Sequence, residues 1–334
     1  MASVCRVLLC FVLILIFGGA DWAKSQNVLP YPTATYFVAP VSESPPQRFG
    51  LSNEVGVKKF FNSFTSYQFP NPFPPQQDPL SRLEFPIDQW FLGLKSRCRG
   101  SWWSIIGEGW INISGESGLK MQDSDWDDEK NLSQKTVFSE SQCRLNRGII
   151  LDLATGLGNP VPRFFNAVPL VGLRYQYFNF TTHDGSQTAL NGWPVDLPGD
   201  GIEFKQWYYH VYFGGNFHTF LNFGIPRTPM SRIRLDLQFD YALVRGTNED
   251  LHLLREGRRV TEQITNGHCW HLFSSVSFIS SSRLATRIEL DLKRTLTHGG
   301  HLLTNSLFDL NFSFDGSRVW SDQLSVSGIF EIAL

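Results

Sequence analysis

Two short stretches of this 334-residue chain carry acid–base groups at spacings that suit activation of a water molecule. Asp123 and Asp125 stand two residues apart within Met121-Gln122-Asp123-Ser124-Asp125-Trp126, and Asp250 stands two residues before His252. Each pair sits at the far end of a strand-like segment, in loops expected over about 115–135 and 246–267. A carboxylate placed like Asp250 can accept from one imidazole nitrogen, which fixes the tautomer and leaves the other nitrogen as a base. The Asp pair can hold and orient a water. If the two stretches meet, four side chains surround one water, the layout of a hydrolase that attacks without a nucleophile of its own. Each stretch alone is unspecific. The acidic run from Asp123 through Glu129 also reads as a solvated loop, and lone surface histidines are common. A calcium loop is suggested by the alternation of Asp123, Asp125 and Asp127, but the turn glycine and distal glutamate are missing.

The elements that must position these groups are strands. From Arg232 to Arg245, Ile233, Leu235, Leu237 and Phe239 fall on one face, and Arg234, Asp236, Gln238 and Asp240 fall on the other. Ile288, Leu290 and Leu292 alternate in the same way with Arg287, Glu289, Asp291 and Lys293, and Leu324, Val326, Phe330 and Ile332 share a face near the end. About ten such segments occur, without a convincing amphipathic helix. A soluble sandwich would bury the apolar faces, whereas a transmembrane barrel would show them to lipid and turn the charges inward. Sandwich strands run nearer 5–6 residues and tilted membrane strands about 9–11. The longer alternation here, and the open edges that closure removes, favour the barrel. Its strands should place Ile233, Leu235, Leu237 and Phe239 outward and Arg234, Asp236, Gln238 and Asp240 inward.

With 29 basic and 31 acidic residues the net charge is -2, and no basic stripe points to nucleic acid. The only long apolar run, Val7 to Gly19 behind Arg6, is too short for a membrane helix of roughly 20 residues. With Ala23-Lys24-Ser25 it fits a secretory signal peptide over 1–25, with Ala20 as a second cleavage point and an uncleaved anchor as the alternative. A Pro/Ser-rich segment follows over 26–54, and the barrel is expected over 55–334. Cys98, Cys143 and Cys269 remain beyond the leader, an odd number, and a Cys98–Cys143 bridge is open. His268, Cys269 and His271 resemble a metal cluster, but on a strand His268 and His271 face opposite sides. No metal or cofactor is expected.

Gly118 through Trp126 resembles the omptin pattern, in which Met-x-Asp-x-Asp-Trp carries the first aspartate pair. Asp250-Leu251-His252, followed by Glu256-Gly257-Arg258-Arg259-Val260, is similar to the omptin Asp-x-His segment and its Gly-Lys/Arg-Arg continuation. Weaker similarity runs through Gly201 to Gln206 and Thr304 to Asp309, and the resemblance spans roughly residues 55 to 334. It implies an all-β, closed antiparallel transmembrane barrel of about ten strands. It also implies a monomeric endopeptidase of an outer membrane, facing outside, or a secreted or cell-surface protein in another host. In that reading Asp123, Asp125, Asp250 and His252 are catalytic, while Met121, Asn248 and Glu249 contact the substrate. The partners implied are a peptide or protein substrate and membrane lipid, including lipopolysaccharide. The alternative is a catalytically silent barrel of the same fold, serving adhesion, binding or structure.

The chain departs from the family where substrate and lipid are bound. The family's loop acid is replaced by Asn248, with Glu249 beside it. Val55 to Phe69, the region of the other pocket acid, contains none. The lipid motif Tyr-x-Glu-x-Arg is absent around Tyr175 to Asn179, and the chain ends on Leu334 rather than an aromatic residue. Asn112, Asn131, Asn179 and Asn311 each begin a glycosylation sequon, relevant only in a glycosylating host.

Overall fold

A computed structural model describes residues 50–333 except 101, 159–165, 191, 223–231, 258 and 282–283. The expected leader and most of the Pro/Ser-rich segment lie outside the described residues. The described part is built of strands: β1 (Gly50–Phe60), β2 (Phe64–Phe69), β3 (Ser81–Pro86), β4 (Trp90–Arg99), β5 (Trp103–Asn112), β6 (Met121–Asp125), β7 (Val137–Leu157), β8 (Asn166–Ala189), β9 (Val195–Asn222), β10 (Arg232–His252), β11 (Arg259–Ile279), β12 (Leu284–Asn305) and β13 (Leu310–Ala333). Three staves are each made of two strands, β1 with β2, β4 with β3, and β5 with β6. The seven strands from β7 to β13 make one stave each. All neighbours are antiparallel, and β13 pairs back onto both β1 and β2. The ring of ten staves is therefore closed. Its first strand starts at Gly50, ahead of the boundary expected at 55, because residues 50–54 already pair with β4 and turn Glu54 inward.

The alternation read from the sequence sorts as a membrane barrel. Asp236 and Asp240 are buried, whereas Phe239 and Leu243 are exposed. The outward face of β10 stays apolar as far as Leu243 and then turns polar at Arg245, Thr247 and Glu249. On β12 the same change comes after Leu292, at Arg294, which pairs on the outer wall with Asp322 of β13 at 3.5 Å. Near this level Tyr175 packs on Tyr209 and Tyr177 on Trp207, with centroids 5.2 and 5.3 Å apart. An apolar band bordered by aromatic rings is how a barrel meets lipid and its interface.

The interior beside that band is filled by paired charges. Arg174 reaches Asp152 at 2.6 Å and Asp240 at 3.7 Å, and His271 reaches Asp240 at 2.6 Å. Arg287 holds Glu289 at 2.8 Å and also Glu54, while Lys95 holds Glu108 at 3.2 Å. Buried charges are tolerable when matched in this way. Toward the end of the barrel away from Gly50 and Ala333, rings replace charges. Phe85 stacks on Phe204 with centroids 4.2 Å apart, and Tyr67 and Phe180 pack around them. Thr65 donates to Gln206 across the interior at 2.6 Å. These contacts join β2 and β3 to β8 and β9, so the barrel has a solid floor just beneath its mouth. Cys98, Cys143 and Cys269 are all free, which settles the open bridge.

Candidate active site

The mouth is framed by the connections after β2, β6, β8, β10 and β12. The two sequence stretches end beside it, on the strands β6 and β10 rather than in loops, because the ladders to β3, β7, β9 and β11 run on through them. Asp123 and Asp125 lie on β6, opposite Leu83 and Ser81 of β3. Leu83 and Ser81 are buried, and the parity of the pairing turns both aspartates inward. Met121 precedes them on the same face and is buried in the floor. On β10, Asp250 and His252 pair with Thr261 and Arg259 of β11 and with Phe204 and Ile202 of β9.

Asp250 is fully buried, and its Oδ2 lies 3.5 Å from His252 Nε2. That is an electrostatic contact rather than a full hydrogen bond. The same Oδ2 accepts a short hydrogen bond from the Tyr67 hydroxyl, delivered across the interior from β2. Burial and then the Asp250 charge push the Tyr67 pKa well above its usual value, so this phenol keeps its proton and remains a donor. Tyr67 was not found by sequence reasoning. The only trace was the Thr65, Tyr67, Phe69 alternation, which carries no hint of a partner on β10.

The aspartate pair is electrostatically joined to this group. Burial, then the neighbouring Asp125, pushes the Asp123 carboxyl up to about 7, against the pull of His252. The Asp250 charge raises it further, and Arg255 lowers it. Asp125 is also raised, chiefly by burial, while a Ser81 hydrogen bond and Arg255 oppose the shift. Among the described residues Asp123 Oδ1 is buried without a hydrogen-bond partner, so this acceptor is left open. Two carboxyls forced to share negative charge, facing an imidazole, make a place where a proton can be held and moved near neutral pH.

The expected substrate contacts divide. Asn248 is buried on the inward face, one pairing step below Asp250. It lies in a layer with Gln206 and Gln263, and Gln263 Nε2 is 3.2 Å from His301 Nδ1. Burial and then Arg259 push His301 down to about 4, so this layer is polar but uncharged near neutral pH. Glu249 is a correction. It lies between two inward residues and therefore faces out, where it pairs with Lys205 at 3.0 Å. Strand parity removes it from the site. His268 and His271 also take opposite faces, the latter buried in the charge network. Among the described residues no cluster of three or more His, Cys, Asp or Glu side chains could hold a metal ion.

Comparison with known proteins agrees with this architecture. The family model described as Omptin family matches residues 83–295. The crystal structure of the outer membrane protease OmpT from Escherichia coli superposes with a TM-score of 0.74 at 16% identity, covering 85% of this chain and 97% of that one. The toluene transporter TodX of Pseudomonas putida gives a TM-score of 0.26 at 9% identity, covering 86% and 90%, too low to argue from. No curated protein sequence matches the chain.

Proposed function

We propose that this chain, which belongs to the omptin family, is an outer-membrane endopeptidase that opens its active site to the outside and hydrolyses peptide bonds with an activated water. The observation that carries the reading is the relay from buried Tyr67 through buried Asp250 to the partly exposed His252, electrostatically coupled to the Asp123/Asp125 pair. His252 takes the proton of the attacking water. Asp250 orients the imidazole and balances the charge it gains, and Tyr67 anchors Asp250. Asp123 and Asp125 position the water and manage charge on the tetrahedral intermediate.

The neutral layer beneath Asp250 sets the specificity. A buried arginine or lysine side chain placed against Asn248, Gln206 and Gln263 would lack an ion-pair partner there, which costs several kcal/mol. The enzyme therefore prefers an uncharged residue beside the scissile bond over a dibasic pair. The outward rung of Tyr175 and Tyr177 continues to Asn179, so lipid contact along β8 is aromatic and neutral.

The test is digestion of a random peptide library by the detergent-extracted protein, repeated with His252→Ala. Cleavage that vanishes in His252→Ala supports the mechanism. Asp250→Asn is expected to be severe too, since loss of an orienting carboxylate costs about 10⁴ in a serine hydrolase. Cleavage retained in His252→Ala rejects the mechanism, enrichment for dibasic sites rejects the specificity, and no cleavage of any peptide leaves the silent-barrel reading.

A further inference from the structure

Beside the catalytic mouth lies a groove of about 530 Å³ lined by Arg255, Glu256, Arg259, Leu303, Asn305, Phe308 and Leu310. The proposed hydrolysis gives its two arginines no proton to carry, although Arg255 draws the Asp123 carboxyl down. Arg259 pairs with His252 across the β10–β11 ladder and stands two residues before the buried Thr261, so it points into the mouth. Arg255 lies on the exposed connection between the strands. Among the described residues neither guanidinium has a carboxylate within ion-pair distance, although ion pairs are dense elsewhere in this barrel. Arg259 Nε is buried without an acceptor. The two charges also oppose each other: burial, then Arg255, lowers the Arg259 pKa, against the weaker pull of Tyr67, Asp250 and Asp125.

The groove is held in shape from below. Asn305 Nδ2 donates to the Glu256 carbonyl at 3.2 Å, and Ser306 donates to the Gly257 carbonyl through its backbone N at 3.0 Å and its hydroxyl at 2.7 Å. Gly257 sits at φ +78, and a side chain there would collide with Asn305 and Leu307. The walls are apolar, from Leu303, Phe308 and Leu310. Two guanidiniums without an ion-pair partner above an apolar wall suit a carboxylate carried on a short aliphatic stem. Among the described lining residues, Glu256 is the one acid against two arginines.

We infer that Arg255 and Arg259 form a subsite for an acidic side chain, aspartate or glutamate, of the peptide held at the catalytic mouth. This rests on the peptidase reading for its occupant. It adds a second element of selectivity, an acid at one fixed position near the scissile bond, to the neutral layer under Asp250. Binding an acid there brings a carboxylate into ion-pair range of two repelling cations that have none among the described residues.

The test separates binding from cleavage. The inactive His252→Ala protein, in detergent micelles, is titrated by fluorescence anisotropy with hexapeptides that carry one glutamate or one glutamine at each position in turn. At one position glutamate should bind on the order of tenfold more tightly than glutamine, the lower range for a charge-assisted contact at a half-open site. The preference should shrink as salt rises. Arg255→Glu should abolish or reverse it, with Arg255→Gln as the milder variant and heat-modifiable gel mobility as the check on folding. Equal binding of glutamate and glutamine at every position overturns the inference, as does a preference unchanged in both Arg255 variants. A glutamate preference in His252→Ala alongside a wild-type protein that cleaves nothing would reject the peptidase reading and keep the subsite.

Discussion

Replacing Tyr67 with phenylalanine removes one hydroxyl from a site it does not line directly, and so isolates the role of the Asp250 anchor. Asp250 is fully buried, its Oδ1 has no partner, and His252 touches its Oδ2 only at 3.5 Å. The Tyr67 hydroxyl is thus the one hydrogen bond that the carboxylate receives among the described residues. A hydrogen bond to a charged group contributes about 1.5–3 kcal/mol. If most of that holds the Asp250–His252 geometry in the transition state, kcat should fall by about 10- to 100-fold. KM should change little, because Asp250 lies beneath the cleft rather than on its wall. The measurement is steady-state kinetics on a peptide recovered from the library digest, with unfolding followed by heat-modifiable mobility. The ring is retained, so its contact with Phe204 survives and the barrel should still fold. A Tyr67→Phe enzyme with unaltered kcat, or one altered in KM alone, would refute the anchoring argument.

Three other outcomes are expected. The Asp123 carboxyl is raised to about 7 in the folded protein, so its ionisation weighs against the native state, and stability is lost as pH rises from the ordinary carboxylate range through about 7. Asp123→Asn should therefore raise the unfolding temperature above pH 7 and lose that advantage below about pH 4, near the unfolded carboxylate value; thermal scans across pH check this. On a neutral peptide, kcat/KM should fall as pH drops through about 7 and Asp123 takes up its proton. Arg255 holds that carboxyl down, so Arg255→Ala should move the midpoint upward in a pH–rate profile. Asn248→Asp puts a carboxylate back beneath Asp250, and should shift preference toward a basic residue by about tenfold or more, read from paired lysine and glutamine peptides.

The ten staves were readable because lipid outside and paired charge inside impose an alternation with no tolerance for slippage. Both candidate stretches were readable because their members are near neighbours in sequence and strand parity keeps them together. Contacts that cross the interior were not. Tyr67 meets Asp250 only because β2 and β10 face each other across a ring-filled floor, and no local pattern on β2 names that partner. The start at Gly50 was hidden by the lack of apolar alternation over 50–54, where pairing with β4 fixes the strand. Glu249 shows the opposite situation. Its neighbour Asn248 occupies the inward position, so parity along β10 was sufficient to exclude Glu249.

The change of the outer wall from apolar to polar at Leu243 and Arg245 fixes how far the cleft stands from the lipid. Asp250 lies roughly seven residues farther along the same strand, about 23 Å at the usual rise of a strand. With the tilt of about 35–45° usual for such barrels, that is a height of roughly 15–20 Å above the edge of the apolar band. A polypeptide anchored in the same bilayer could be threaded through the mouth only if its first cleavable bond lay about five extended residues or more from its anchor. If the chain is the proposed peptidase, shorter stalks would be passed over whatever their sequence, and the length of the stave would act as a ruler that spares membrane neighbours and selects chains reaching well out of the surface.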